Sequence, residues 1–171
     1  MRKLILQVAA SLDGYIEGPN GEIDWCFTDQ DYGMKEFLNR VDSLFMGRKT
    51  YELTVKMGGT GFPQLKNYVF SNSLRLPDEN VTLVQGDIIP QVKSIKQRAG
   101  KDIWLYGGAA LTGTLMRENL VDEILVALHP VILGGGKPLI ENLRNRAALE
   151  LVETKTYDSG LVMLHYNVKQ S

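Results

Sequence analysis

The spacing of hydrophobic positions changes repeatedly along the chain, and each change marks an element. Residues 4–10 form a near-continuous apolar run, the pattern of a strand covered on both faces of a sheet. Residues 11–26 then carry Asp13-Gly14, Gly18-Pro19 and Asn20-Gly21, a density of turn residues that predicts a long ordered loop rather than a regular element. Such loops inside one domain commonly serve function. From Asp29 or Asp31 to Val41, the apolar residues Met34, Phe37, Leu38 and Val41 recur at helical spacing, with acids near the start and Arg40 near the end, so a first helix is expected. A short buried strand over residues 42–46 ends at Gly47, and a second helix starts at Arg48.

Residues 55–65 are glycine-rich and irregular, and residues 67–70 and 81–84 read as strands. Residues 88–97 return to helical spacing. Residues 103–106 are strand-like and run into Gly107-Gly108, after which residues 109–118 carry Leu111 and Leu115 in a small-residue-rich helix. Residues 121–131 are mostly apolar and are followed by a turn at residues 134–138. Two alternating runs, 149–156 and 160–168, are joined by Tyr157-Asp158-Ser159-Gly160, which is a hairpin signature. Strands alternating with helices and then pairing at the end predict a mostly parallel α/β sheet with antiparallel C-terminal strands. No internal repeat or linker divides residues 1–171, so a single domain is expected.

Composition narrows the function classes. Apolar and charged fractions of 44% and 23% are ordinary for a globular chain. A formal net charge of -1 and a pI near 6.1 offer no basic face for a phosphate backbone, so nucleic acid is not an expected partner. No apolar run reaches the roughly 20 residues of a membrane span. The start Met1-Arg2-Lys3 leads into a short apolar stretch with no cleavage site and reads as the first strand. The single cysteine, Cys26, suits a reducing compartment, which points to the cytoplasm. His and Cys do not cluster, and no metal site is expected.

The chemistry concentrates where a strand, a glycine and a helix meet, at Gly47 and again at Gly107-Gly108. In open α/β sheets ligands bind beyond the carboxyl ends of the strands, where helix N-termini present unpaired N–H groups. Glycine admits a phosphate to the backbone, Arg48 and Lys49 add positive charge, and Thr50 adds a hydroxyl donor. Two such strand ends suit the two ends of a dinucleotide, although glycines at strand–helix junctions also serve as plain turns.

Three early segments, Ala9-Ala10-Ser11-Leu12-Asp13-Gly14-Tyr15-Ile16, Trp25, and Asp42 through Glu52 with Gly47-Arg48-Lys49-Thr50 inside it, occur in order with Gly107-Gly108-Ala109-Ala110-Leu111, Leu120-Val121-Asp122-Glu123 and Ile132-Leu133-Gly134-Gly135-Gly136-Lys137-Pro138. In this the chain resembles the dihydrofolate reductase superfamily, and more closely the branch related to the reductase domain of the bacterial riboflavin-pathway deaminase-reductase. The resemblance implies a three-layer α/β/α dihydrofolate-reductase-like fold and an oxidoreductase that uses NADPH to reduce a small heterocycle, pteridine- or pyrimidine-like. It leaves two other readings open: the 5-amino-6-(5-phosphoribosylamino)uracil reductase of riboflavin biosynthesis, and a non-catalytic NADPH-binding protein.

By the same resemblance, the backbone at Ala9 and Ile16 would hold the nicotinamide carboxamide, on either side of a loop over residues 14–25. Gly47, Arg48, Lys49 and Thr50 would grip the cofactor phosphates, and Ser71, Asn72 and Ser73 would meet the adenosine 2′-phosphate. Gly107 and Gly108, joined by a cis peptide in that family, would lie beside nicotinamide and pyrophosphate, with Ala109 and Leu111 just beyond. An arginine at the 2′-phosphate favours NADPH over NADH. Related reductase domains pair as homodimers, and the apolar C-terminal hairpin suits that role. Gln30 stands where dihydrofolate reductases carry their pterin-anchoring carboxylate, with Asp29 and Asp31 on either side, and Glu52-Leu53-Thr54-Val55-Lys56 replaces the element that binds a ribose phosphate in the riboflavin-pathway reductase. The candidate proton donors are therefore Asp13, Asp29, Asp31, His129 or water.

Overall fold

A computed structural model describes residues 1–59, 62–75 and 79–169. In chain order the elements are β1 (Leu4–Ser11), β2 (Tyr15–Glu17), α1 (Met34–Arg40), β3 (Val41–Gly47), α2 (Arg48–Lys56), β4 (Lys66–Phe70), β5 (Val81–Val84), α3 (Ile88–Gln97), β6 (Asp102–Gly107), α4 (Ala109–Arg117), β7 (Glu123–His129), β8 (Lys137–Pro138), β9 (Leu149–Thr156) and β10 (Val162–Val168). Eight strands form one sheet in the order β5-β4-β3-β6-β1-β7-β10-β9. The first six are parallel, and β10 and β9 continue the sheet antiparallel, as the hydrophobic pattern predicts.

β1 pairs on both sides, with β6 and with β7, and both of its faces are covered, which explains its continuous apolar sequence. Successive side chains point to opposite faces. Leu4 and Leu6 join Val92 and Ile95 of α3 and Leu111, Leu115 and Met116 of α4 in one apolar cluster. Ile5 joins Phe37 of α1, Tyr51 of α2 and Trp104 of β6 in another on the opposite face. The sheet is thus the middle of three layers, the dihydrofolate-reductase-like arrangement.

Three boundaries differ from the sequence pattern. Residues 11–26 are not one unbroken loop, because Tyr15 and Glu17 pair antiparallel with Pro138 and Lys137 in a separate two-stranded ribbon. The Lys137 ammonium also meets the Glu17 carboxylate at 2.9 Å, and no hydrophobic alternation announces so short a pairing. The first helix starts at Met34, not at Asp29 or Asp31. Tyr32 and Gly33 both adopt left-handed backbone, with φ of 49° and 81°, which the right-handed helix cannot include. Val41 is already extended and begins β3 directly.

The amino-terminal ends of the parallel strands carry a charged layer. Arg2 pairs with Asp42 and donates to Ser43, and Lys96 meets Asp122 at 2.5 Å. Buried Glu123 accepts from Lys3 at 2.6 Å and sits 2.8 Å from Arg40 and 2.9 Å from His165. Burial alone would raise its pKa, but the hydrogen bonds from Arg40 and Lys3 and the Arg40 charge outweigh that and hold it down at about 2. Each of these buried charges has a partner, as burial requires. The opposite, carboxyl-terminal edge of the sheet is the one with open backbone.

Candidate active site

At that edge β3 passes through Gly47 into α2, and β6 passes through Gly107 and Gly108 into α4. Helix α3 closes its own amino end, with the Asp87 carboxylate accepting from the Ile89 N–H at 3.1 Å. Helices α2 and α4 begin at Gly47 and Gly108 with no side-chain cap, so their first N–H groups are left for solvent or a ligand. A Cβ built on Gly47 or on Gly107 meets nothing within 4 Å; both glycines border open space. The two turns are joined, since the Gly108 N–H donates to Thr50 Oγ1 at 3.2 Å. Gly107 has φ of 116°, a backbone that favours glycine. The peptide linking it to Gly108 is trans, in place of the cis bond that the resemblance implies; the positive φ of Gly107 lets the chain leave the strand through an ordinary trans peptide.

Arg48 reaches from the start of α2 across the end of β4. Its Nη1 donates to Ser73 Oγ at 2.7 Å, and its Nε lies 3.4 Å from Glu52. Ser71 Oγ accepts from the N–H groups of Ser73 and Leu74, and Asn72 Oδ1 accepts from the Gly86 N–H at 2.8 Å. These bonds fix the 71–74 turn beneath the guanidinium. Lys49 is exposed. Ala109 and Leu111 are buried at the base of α4, and Leu111 belongs to the core. Ala9 is half-buried on β1 opposite Ala127, and Ile16 is half-buried in β2.

A cleft of about 390 Å³ opens between α1 and the strands on its face of the sheet. Gln7 of β1, Phe37 and Arg40 of α1, Leu125 of β7, Lys155 of β9 and His165 of β10 line it, and Tyr32 and Tyr157 stand at one end. Gln7 and Ala9 are two residues apart on one strand and so share a face, which puts Ala9 on the face of the sheet that the cleft opens on. Arg40 is already engaged by Asp102 at 3.0 Å and Glu123 at 2.8 Å, and Lys155 lies 5.2 Å from the centre of the Tyr157 ring. Periodicity did not single out Gln7, although it is the one polar side chain between Leu4 and Ala10. The cleft residues Lys155, Tyr157, Met163 and His165 come from the C-terminal hairpin, which the sequence marks only as strands.

The four candidate acids all have partners. Asp13 accepts from the Ser11 hydroxyl at 2.7 Å, the Leu133 N–H at 3.1 Å and the Gly134 N–H at 2.8 Å. The Ser11 bond foremost, with the two backbone bonds, holds its pKa below the ordinary carboxylate value. Asp29 accepts from the Tyr32 hydroxyl at 2.8 Å, and Asp31 accepts from the Lys35 N–H at 3.1 Å in the first turn of α1. His129 is buried at the end of β7, where Nδ1–H donates to the Ala127 carbonyl at 2.9 Å and Nε2 accepts from the Phe27 N–H at 3.1 Å. Burial lowers its pKa, and the Ala127 bond opposes that more weakly. Near the same loop, burial and then Asp24 push the Cys26 thiol up to about 11, so it stays protonated at neutral pH. Tyr106, next to Gly107, is likewise raised by burial and by Cys26. Among the described residues no group of three or more His, Cys, Asp and Glu side chains could hold a metal.

The family model of the RibD C-terminal domain matches residues 2–163. The chain belongs to that family. Among its relatives is the uncharacterized protein YyaP of Bacillus subtilis, 40% identical over 97% of this chain and 95% of that one. A putative riboflavin biosynthesis protein from Shewanella superposes with a TM-score of 0.86 at 26% identity, covering 98% of this chain and 99% of that one. Dihydrofolate reductase from Enterococcus faecalis, solved with NADP(H), shares the fold at a TM-score of 0.72 and 17% identity, covering 98% and 97%. The RibD-type chain therefore carries a dihydrofolate-reductase-like fold along its whole described length.

Proposed function

We propose that the protein is an NADPH-dependent reductase that transfers hydride to a small pteridine- or pyrimidine-like heterocycle. The observation that carries this reading is the pair of uncapped helix starts joined through Thr50 and Gly108 at one edge of the sheet, in a chain whose α1 face also holds a cleft lined by Gln7. The open space at Gly47 and Gly107 fits a bound pyrophosphate. Arg48 above the Ser71–Ser73 turn fits the 2′-phosphate that distinguishes NADPH from NADH. NADPH bound there would supply the hydride. The chain's own part is to hold the heterocycle against β1, with the Gln7 amide offering a donor and an acceptor and with Phe37 and Leu125 excluding water from its faces. Asp13, Asp29, Asp31 and His129 each already hold a loop or helix contact, so water reaching the cleft supplies the proton. NADPH binding followed by fluorescence, with the Arg48→Ala variant as control, tests the cofactor; NADPH oxidation against a panel of pterins, pyrimidines and quinones tests turnover. Binding without turnover of any compound would favour the non-catalytic NADPH-binding reading.

The likeness to a putative riboflavin biosynthesis protein favours a second reading, reduction of 5-amino-6-(5-phosphoribosylamino)uracil. Against it, the cleft's cations are offset: Arg40 is held by Asp102 and Glu123, and Glu36 and Glu153 line the same cleft as Lys155. Complementation of a strain lacking that reductase separates the two readings. We further propose a homodimer, because β9 is exposed along its whole length and presents Leu149, Leu151 and Val152, and a cytoplasmic location, because the single cysteine suits a reducing compartment. Light scattering on the purified chain tests the dimer.

A further inference from the structure

His129 is 3% exposed, yet it touches a loop rather than the core on one side. Its ring lies 5.3 Å from the Trp25 ring and 5.0 Å from the Phe27 ring, both edge-on. The Phe27 N–H donates to Nε2, and among the described residues this is the one hydrogen bond that ties residues 23–29 to the sheet. Phe27 in turn lies 6.3 Å from Tyr32, and Tyr32 lies 4.9 Å from Tyr157. Tyr32 holds a left-handed φ of 49°, which costs a non-glycine residue on the order of 1 kcal/mol or more. Its hydroxyl is fixed between Asp29 and Ser159. Tyr32 and Tyr157 are the aromatic end of the cleft. A continuous set of ring contacts thus runs from the end of β7 to the cleft mouth.

We propose that His129 is a positioning residue: its uncharged ring clasps the Trp25–Phe27 turn against β7 and, through Phe27, holds Tyr32 at the mouth of the cleft. The tautomer follows from the partners. A carbonyl can only accept, so Nδ1 carries the proton, and Nε2 must accept from the Phe27 amide. An added proton on Nε2 would place two donors face to face and break the clasp. The groups around the ring would do little to retain a charge. On the loop side, Asp24 and Cys26 flank Trp25, and Asp24 is exposed. On the strand side, the residue paired with His129 is Ser11, whose hydroxyl is spent on Asp13. His129 forms no ion pair among the described residues. Its folded pKa lies below the ordinary value of about 6.5, so the clasp is intact above that value and is lost as pH falls through the folded one.

The role at the cleft rests on the proposed reading of that cleft as the substrate site, but the clasp can be measured with no ligand present. The readouts are the hydrogen-exchange protection of the Phe27 amide and the emission of Trp25, recorded on the full chain from about pH 8 to about pH 4.5, above the range where Glu123 titrates. Trp25→Phe isolates the signal of buried Trp104. In the wild type, protection and emission should change together in one step below about pH 6.5, and the protection lost should approach tenfold for each unit by which the His129 pKa is lowered. His129→Gln, which keeps an acceptor and cannot charge, should remain clasped and flat with pH. His129→Ala should be unprotected throughout. A step that survives in His129→Gln, a step abolished by His165→Gln, or constant Phe27 protection in the wild type would each overturn the proposal. NADPH affinity measured in parallel at pH 8 reports separately on the cofactor reading.

Discussion

Thr50 Oγ1 accepts the N–H of Gly108 at 3.2 Å, linking the first turn of α2 to the turn that starts α4. The bond spans two strand ends that are far apart in sequence, and it fixes the spacing of two helix starts facing one edge of the sheet. Removing it with Thr50→Val keeps the side-chain shape and leaves the Gly108 N–H without that partner. The expected cost is about 1 kcal/mol in stability, with NADPH affinity falling by about fivefold to tenfold as the turns lose their register. Thr50→Ser should restore most of the affinity. Thermal melts and NADPH titrations of the two variants check this, and equal affinity in Thr50→Val and wild type would count against a joined phosphate site.

Arg48 separates two nicotinamide cofactors. Its guanidinium is half-exposed, bonded to Ser73 and close to Glu52, so its loss should cost little stability. Arg48→Ala should weaken NADPH by tenfold or more, the loss of a charge-assisted contact, on the order of 1.5 kcal/mol or more, and leave NADH unchanged. Parallel titrations with the two cofactors decide it; an equal loss for both would assign Arg48 to the shared pyrophosphate.

Much of this arrangement was written in the sequence. Residues 4–10 announce a doubly covered strand because both faces of β1 are packed, Leu4 and Leu6 against α3 and α4 and Ile5 against α1 and α2, and Gly47 and Gly107-Gly108 announce strand ends that lead straight into helices. The cleft was less legible. Gln7 is a lone polar residue in an apolar strand, and its meaning depends on α1 packing over that face and on β10 extending the sheet beside it. The partners of Asp13 and His129 were invisible for a related reason: Leu133, Gly134 and Phe27 bond through backbone N–H groups, which every sequence supplies and none advertises. The ribbon of Tyr15–Glu17 with Lys137–Pro138 leaves no signature in the sequence because a pairing this short needs no hydrophobic alternation.

The charged layer at the amino-terminal ends predicts acid sensitivity. Glu123 is depressed from 4.5 to about 2, despite burial that works the other way, by its bonds to Arg40 and Lys3. Its contribution is therefore complete above about pH 4.5 and is lost as pH falls through about 2. At about 1.4 kcal/mol for each pKa unit the contribution is up to about 3 kcal/mol. Denaturant melts of the wild type should lose stability across that window, and Glu123→Gln should be destabilised at neutral pH and show a shallower acid decline. An unchanged slope would place the acid sensitivity elsewhere.

Two glycine-to-alanine changes should have opposite consequences, and the contrast separates folding from binding. Gly113 lies inside α4, and a Cβ there would come 1.8 Å from the Glu141 carbonyl oxygen. That oxygen belongs to backbone, so the helix must shift away from the segment after β8. Gly113→Ala should cost on the order of 1–3 kcal/mol despite alanine's better helix propensity. Gly47 has an ordinary extended backbone, φ −77° and ψ 164°, and a Cβ there meets nothing within 4 Å. Gly47→Ala should melt within about 0.5 kcal/mol of wild type, since it touches no neighbour. Its methyl would instead stand in the space through which a phosphate approaches the first N–H groups of α2, so NADPH affinity should fall. Melts and titrations on both variants give four numbers, and normal NADPH affinity in stable Gly47→Ala would mean that the open space beside Gly47 is not where the cofactor lies.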